Sequence, residues 1–238
     1  MYAKEFFDLQ LEFAERVSSF SGLSFARSVL DYTNLYIRFG CGREFDPTHP
    51  RWQEYVAGLS NTDDRDDWTY RFYVTRSEAV VPPGLVATFG CFSYARLQGD
   101  RIRLHFHDGD RDGRSPLAQE RCDRRKAELA FLFTDVKRTT RNPARVVGAS
   151  WLYNVAAYCR LFPGSYLATA HPIQHRFRHM PLWGQFVNRD GAVREDRARQ
   201  FRERLGRQSS LEGLDDCFPF RVLALEAPVA EFYHFYRV

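Results

Sequence analysis

His105 and His107 stand two residues apart in the run Arg101-Ile102-Arg103-Leu104-His105-Phe106-His107, where apolar and polar residues alternate. In a strand, residues at i and i+2 point to one face, so both imidazoles would lie side by side. Two such rings can share acid/base work or hold a metal ion. The spacing specifies no third ligand, so no metal is expected, and the pair is carried forward as candidate bases. His171, His175 and His179 recur every four residues. That would line one face of a helix, but Pro172 and Pro181 oppose a continuous helix there.

A second constellation lies in RVVGASWLYNVAAYCRLFPG, residues 145–164. It reads as a buried strand, a polar exit and a short helix, with Ser150, Trp151, Tyr153 and Asn154 at the junction. In open α/β sheets ligands bind beyond the carboxyl ends of strands, so these four residues are substrate-binding candidates. Gly148-Ala149-Ser150-Trp151-Leu152 approaches the G-x-S-x-G nucleophile elbow, but Leu152 replaces the second glycine that the tight turn needs. No dinucleotide-binding glycine fingerprint, P-loop or zinc-deaminase pattern occurs.

The elements that must position these residues follow from periodicity. Tyr2, Phe6, Leu9, Phe13, Val17 and Phe20 form the stripe of an amphipathic helix that Gly22 ends. A helix is expected over 24–38, with Ser24 as N-cap and Gly40 as stop, and another from Pro50 through Leu59. Residues 61–67 read as a polar loop and 68–75 as extended or else a short helix, and Pro82, Pro83 and Gly84 punctuate the chain. Expected strands cover 86–96, 101–107, 146–151, 166–170, 182–187 and 220–226. Expected helices cover 116–138, 154–162, 194–207 and 229–236. The fold class is therefore α/β in the broad sense (α+β): a mixed central sheet with flanking helices and an N-terminal helical segment packed on it. We read residues 1–238 as a single domain, with 1–60 the helical segment and 85–238 the α/β core.

Composition bounds the function. The chain has 238 residues, 44% hydrophobic and 27% charged, as in ordinary globular proteins. Of its 34 basic residues only Lys4, Lys126 and Lys137 are lysine, an arginine bias that a bacterial, GC-rich genome also produces. With 30 acidic residues the net charge is only +4, and no dense basic stripe with interleaved aromatics marks a nucleic-acid binder. Cys41, Cys91, Cys122, Cys159 and Cys217 are scattered and odd in number, as expected of reduced thiols in the cytoplasm. No signal peptide and no membrane span is expected.

The run 86–170, in the order hairpin, polar loop, long helix, buried strand, short helix, strand, resembles the core of GNAT-type N-acyltransferases over about a third of the chain. The resemblance implies a coenzyme A donor such as acetyl-CoA, whose pyrophosphate sits on the loop after the hairpin. It places Arg111, Gly113, Arg114 and Ser115 as cofactor-binding residues and Tyr158 as general acid, with Asn154 after the strand. The family loop is R/Q-x-x-G-x-G/A, whereas residues 110–116 read D-R-D-G-R-S-P, so only Arg111 and Gly113 echo it. Asp108, Asp110 and Asp112 would repel a pyrophosphate unless neutralised.

The leading expectation is thus a cytoplasmic acyltransferase with a small-molecule acceptor held by Ser150, Trp151, Tyr153, Asn154, Trp183 and Gln185, Tyr158 as acid and His105 or His107 as base. The alternative is a non-catalytic protein docking a partner on its aromatic N-terminal helices. A third reading is a metal-dependent enzyme using His105 and His107.

Overall fold

The computed structural model describes residues 1–75, 84–110, 112–139 and 145–238. Arg111, Pro82 and Pro83 lie outside the described residues. The chain divides into one unit of Met1–Val80 with Gln174–Arg221, and a second of Val81–Ile173 with Val222–Val238. The expected 85–238 core therefore carries an inserted segment, Gln174–Arg221, that packs with the N-terminal helices.

Helix α1 (Lys4–Ser21) buries Phe6, Phe7, Leu9, Phe13 and Val17, and Gly22 ends it with φ of 73°. Ser24 caps α2 (Phe25–Tyr32), its side chain accepting the Arg27 N–H at 3.2 Å. The single helix expected over 24–38 is two. Thr33 turns extended, its hydroxyl donates to Val29 O at 2.6 Å, and α3 (Leu35–Arg38) follows. In α4 (Pro50–Ser60) proline occupies the first turn, where its missing N–H costs nothing. Of the two readings of 68–75 the helix holds, as α5 (Arg65–Val74), which also takes in the end of the expected 61–67 loop. Asp64 caps it by accepting the Asp67 N–H at 2.8 Å, and Thr69, Phe72 and Tyr73 bury one helical face.

In the second unit the expected strand over 86–96 is a hairpin of β1 (Leu85–Phe89) and β2 (Phe92–Leu97). Gly90, at φ 57°, makes the turn. Strand β3 (Arg101–Phe106) buries Ile102 and Leu104 and pairs antiparallel with β2. A single 3-10 turn leads into α6 (Cys122–Thr139), which turns Leu129, Leu132, Phe133 and Val136 inward. After β4 (Arg145–Ser150) come a 3-10 turn at Trp151–Asn154, α7 (Ala156–Cys159) and α8 (Gly164–Leu167). Residues 166–170, expected as a strand, instead form the end of α8 and the turn after it, where the Ala168, Thr169 and Ala170 N–H groups bond back to Gly164, Tyr166 and Leu167 carbonyls, and the Tyr166 hydroxyl meets Tyr153 Oη at 2.8 Å. The strand comes later, as β5 (His171–Ile173).

The inserted segment returns to the first unit. Residues 182–187, expected as a strand, lie in α9 (Met180–Trp183) and a 3-10 turn, with only Val187 extended in a bridge to Val193, and Trp183 Nε1 donates to Phe177 O at 2.7 Å. Helix α10 (Glu195–Gly206) buries only Ala198, Phe201 and Leu205. Phe13 is the hub of this core, its ring 5.5 Å from Phe177, 5.7 Å from Trp183, 5.6 Å from Phe201 and 5.5 Å from Phe218. Truncating such a side chain costs about 3–5 kcal/mol.

Strand β6 (Val222–Pro228) and α11 (Val229–Tyr236) complete the second unit. Its six-stranded mixed sheet runs β1-β2-β3-β4-β6-β5, and among the described residues only β3 and β4 pair in parallel. Helices α6 and α11 cover one face, with Phe133 and Phe232 stacked 4.8 Å apart. The protein is of the α+β class.

Candidate functional site

The parallel pair β3/β4 holds register only at Arg101↔Arg145, Ile102↔Val146 and Arg103↔Val147. Both strands continue, β3 to Phe106 and β4 to Ser150, each still paired on its outer side, to β2 and to β6. Their carboxyl ends thus part, leaving a wedge flanked by Leu104–Phe106 and Gly148–Ser150. This is where the topology of an α/β sheet places a ligand.

Several expected residues meet at the wedge. Ser150 Oγ accepts the Leu152 N–H at 3.1 Å and so caps the turn that carries Trp151, Tyr153 and Asn154. Asn154 Nδ2 donates to Trp151 O at 2.7 Å. The Tyr158 ring on α7 lies 5.4 Å from Phe106 at the end of β3, and 5.2 Å from Tyr153. Burial pushes the Tyr153 and Tyr158 phenols well above their ordinary range, and each one's negative charge would further oppose ionisation of its neighbours. Tyr158 is therefore a proton donor or a spectator at neutral pH, never a base. His105 is half-buried in β3, and His107 is exposed just beyond it, its N–H bonded to Cys91 O at 3.0 Å.

Trp183 and Gln185, expected beside these residues, belong to the first unit. Both are fully buried. Gln185 Nε2 donates to Leu182 O at 2.8 Å and Phe220 O at 3.1 Å, and its Oε1 accepts the Phe220 N–H at 2.9 Å. Neither side chain has a face left for a substrate.

The loop after β3 departs from the expected anion cradle. Gly113 adopts φ of 84°. The Arg114 N–H is taken by Asp112 Oδ1 at 3.1 Å, and the Ser115 hydroxyl accepts the Leu117 N–H at 3.3 Å. Two of the loop's acids, Asp110 and Asp112, are neutralised by arginines just before and at the start of α6. Asp110, only 3% exposed, contacts Arg121, Arg124 at 3.0 Å and Arg125 at 3.1 Å, while Arg121 also holds Asp112. Burial pushes the Asp110 carboxyl up, but these guanidiniums outweigh it and hold it below the usual range.

The network extends into the β1–β2 turn. Glu128 accepts from Arg125 at 2.9 Å and from the Cys91 N–H at 3.0 Å. A Cβ on Gly90 would overlap the Glu128 carboxylate, so this turn requires glycine for space as well as for φ. Arg125, fully buried, also donates to Cys91 Sγ, which takes the Gly109 N–H at 3.4 Å. Sequence reasoning missed this cluster. The available signal was Arg121, Arg124 and Arg125 at a helix start, where the macrodipole disfavours cations, opposite an acid-rich loop. Among the described residues, no three of His, Cys, Asp and Glu group to hold a metal ion.

Two shallow grooves lie elsewhere, one lined by α1 and α10, the other by α8 and α11, and no expected site residue lines either. No helix among the described residues is long and apolar enough to cross a membrane. Compared with family models, curated proteins and solved structures, the chain matches none.

Proposed function

We propose that the second unit is an acyl-transfer module of GNAT type, which takes an acyl thioester donor of the coenzyme A kind in the wedge between β3 and β4. The parting of these strands beyond Arg103 and Val147 carries the reading. Facing strand ends without a shared ladder can accept an extended, amide-bearing chain by main-chain hydrogen bonding, and the arm of coenzyme A is such a chain. The order hairpin, loop, helix, strand, short helix, strand in this unit supports the same reading.

Within it, Trp151, Tyr153 and Asn154 border the acceptor, Ser150 fixes their turn, Tyr158 is the candidate acid and His105 or His107 the candidate base. The acceptor is a small molecule and the setting the cytoplasm, in keeping with five unpaired cysteines. The diphosphate end of the donor does not fit the loop as it stands, because Asp112 and Ser115 already occupy the Arg114 and Leu117 N–H groups and Asp110 the arginines beside it. The arm must then dominate binding.

Thermal unfolding with coenzyme A, with pantetheine and with adenosine bisphosphate tests this. A ligand that binds only the native state raises the midpoint. Coenzyme A and pantetheine should both raise it, and the nucleotide end alone should not. No rise with either arm-bearing compound at millimolar concentration overturns the proposal.

A further inference from the structure

We propose that Asn34 and Gln10 form a buried hydration site in the first unit, and that an ordered water held there is a structural part of the protein, tying the break between α2 and α3 to α1. Both side chains are fully buried. They are neighbours, because Gln10 Oε1 on α1 accepts the Asn34 backbone N–H at 3.0 Å. Among the described residues neither Nδ2 nor Oδ1 of Asn34 has a hydrogen-bond partner. An Asn preceding a helix usually turns its oxygen to an N–H of the first turn, but the Asn34 side chain does not cap α3. Gln10 is underused as well. Its Nε2 carries two N–H bonds and makes one long contact, 3.4 Å back to Phe6 O in its own helix.

The polar group beside them is already committed. Thr33, also fully buried, spends its hydroxyl proton on Val29 O at 2.6 Å and accepts the Leu35 N–H at 3.2 Å. The chain neighbours Leu9, Leu11 and Leu35 are buried and apolar. An unpaired amide in such surroundings is costly, and buried polar groups in folded chains are almost all paired, by protein or by ordered water. Carboxamides are neutral and present donors and an acceptor together, which selects water over an ion of either sign. A water that donates to Asn34 Oδ1 and accepts from Asn34 Nδ2 or from the second N–H of Gln10 satisfies both side chains. Interior waters make about three such bonds, and here they would join two helical elements that the backbone bond to Gln10 alone holds together.

The site lies in the first unit and is independent of the acyl-transfer reading, which concerns the second. A high-resolution crystal structure of the native chain should show a water at about 2.7–3.2 Å from the Asn34 carboxamide and from a second protein polar atom. An Asn34 carboxamide bonded only to protein groups, or left without water, overturns the proposal. Asn34→Leu supplies a second measurement. Replacing a dry, unpaired amide by a hydrocarbon of similar size relieves its desolvation and raises the unfolding midpoint. Replacing a hydrated one evicts the water and strips Gln10 of its partner, so the midpoint should fall. An unchanged or raised midpoint overturns the proposal. The native crystal structure decides the matter even where Asn34→Leu fails to fold.

Discussion

A Cβ on Gly148 would overlap the hydroxyl of Tyr153 and stand 2.8 Å from its Cζ. The Tyr166 hydroxyl presses on the same point, and the two phenols hydrogen-bond at 2.8 Å. Gly148 lies in β4 one residue past the last pair with β3. The glycine that superficially suggests a nucleophile elbow therefore serves another purpose: it lets two buried tyrosine hydroxyls close against the strand where the wedge opens. These hydroxyls satisfy each other in a core that otherwise offers them little.

Gly148→Ala should accordingly destabilise the protein by about 1–3 kcal/mol, the usual range for overpacking a closed core. Tyr153 cannot yield cheaply, since its ring packs 5.2 Å from Tyr158 and 5.8 Å from Phe162. Removing the obstructing hydroxyl with Tyr153→Phe should make the alanine less costly. Denaturant unfolding of both single variants and the double variant measures that coupling. Strictly additive losses would show that the contact is not the cause.

Acid should loosen the loop that Asp110 and Asp112 tie to α6. Both carboxyls titrate lower in the folded state than their ordinary value, Asp112 at about 2, through hydrogen bonding from Arg121 and the Arg114 N–H. A carboxyl depressed by folding contributes stability above its unfolded pKa, about 3.9, and loses it as pH falls through the folded value. Unfolding midpoints should therefore decline between pH of about 4 and about 2. Asp112→Asn, at an exposed position, should show a shallower decline. An identical slope in variant and native protein would place the acid sensitivity elsewhere.

Local periodicity carried much of the fold. The stripe of α1, the sparse apolar face of α10 at Ala198, Phe201 and Leu205, and the alternation of β3 were all legible, because each is decided by its own residues. Open readings and misreadings fell where distant partners decide. Trp68, Tyr70 and Phe72 alternate like a strand, yet Asp64 caps a helix there. Residues 182–187 look like a strand until Trp183 reaches Phe177 and Gln185 reaches Phe220. The strand exit at Ser150 was visible from its polar run. The Asp110–Arg125–Glu128 network was not, since its members meet only after the loop folds back on α6.

Gln185, which its residue type made a candidate for binding substrate, should prove purely structural. Gln185→Ala removes the partner of two carbonyls and one N–H in a buried setting. Groups left unsatisfied there cost about 1–3 kcal/mol each, so a loss of about 2–4 kcal/mol is expected. Any ligand that raises the unfolding midpoint of the native protein should raise that of Gln185→Ala equally. A selective loss of the ligand-induced shift would return this residue to the binding site.

Cysteine reactivity should follow burial. Burial pushes the Cys41 and Cys217 thiols up to about 11 and raises Cys91 as well, against the opposing pull of the Gly109 N–H and Arg125. The thiolate is the reacting species, so these three should resist alkylation in the native protein at neutral pH. Cys122, half-buried at the start of α6, should label first. Cys159 should follow more slowly, because its thiol donates to Tyr153 O at 3.1 Å and burial raises it. Timed iodoacetamide labelling with peptide mass mapping reads out the order, and denaturant should bring all five to a common rate. Early labelling of Cys91 in the native protein would show that the loop bearing Asp110 opens readily, since Gly109 and Arg125 both lie against that sulfur.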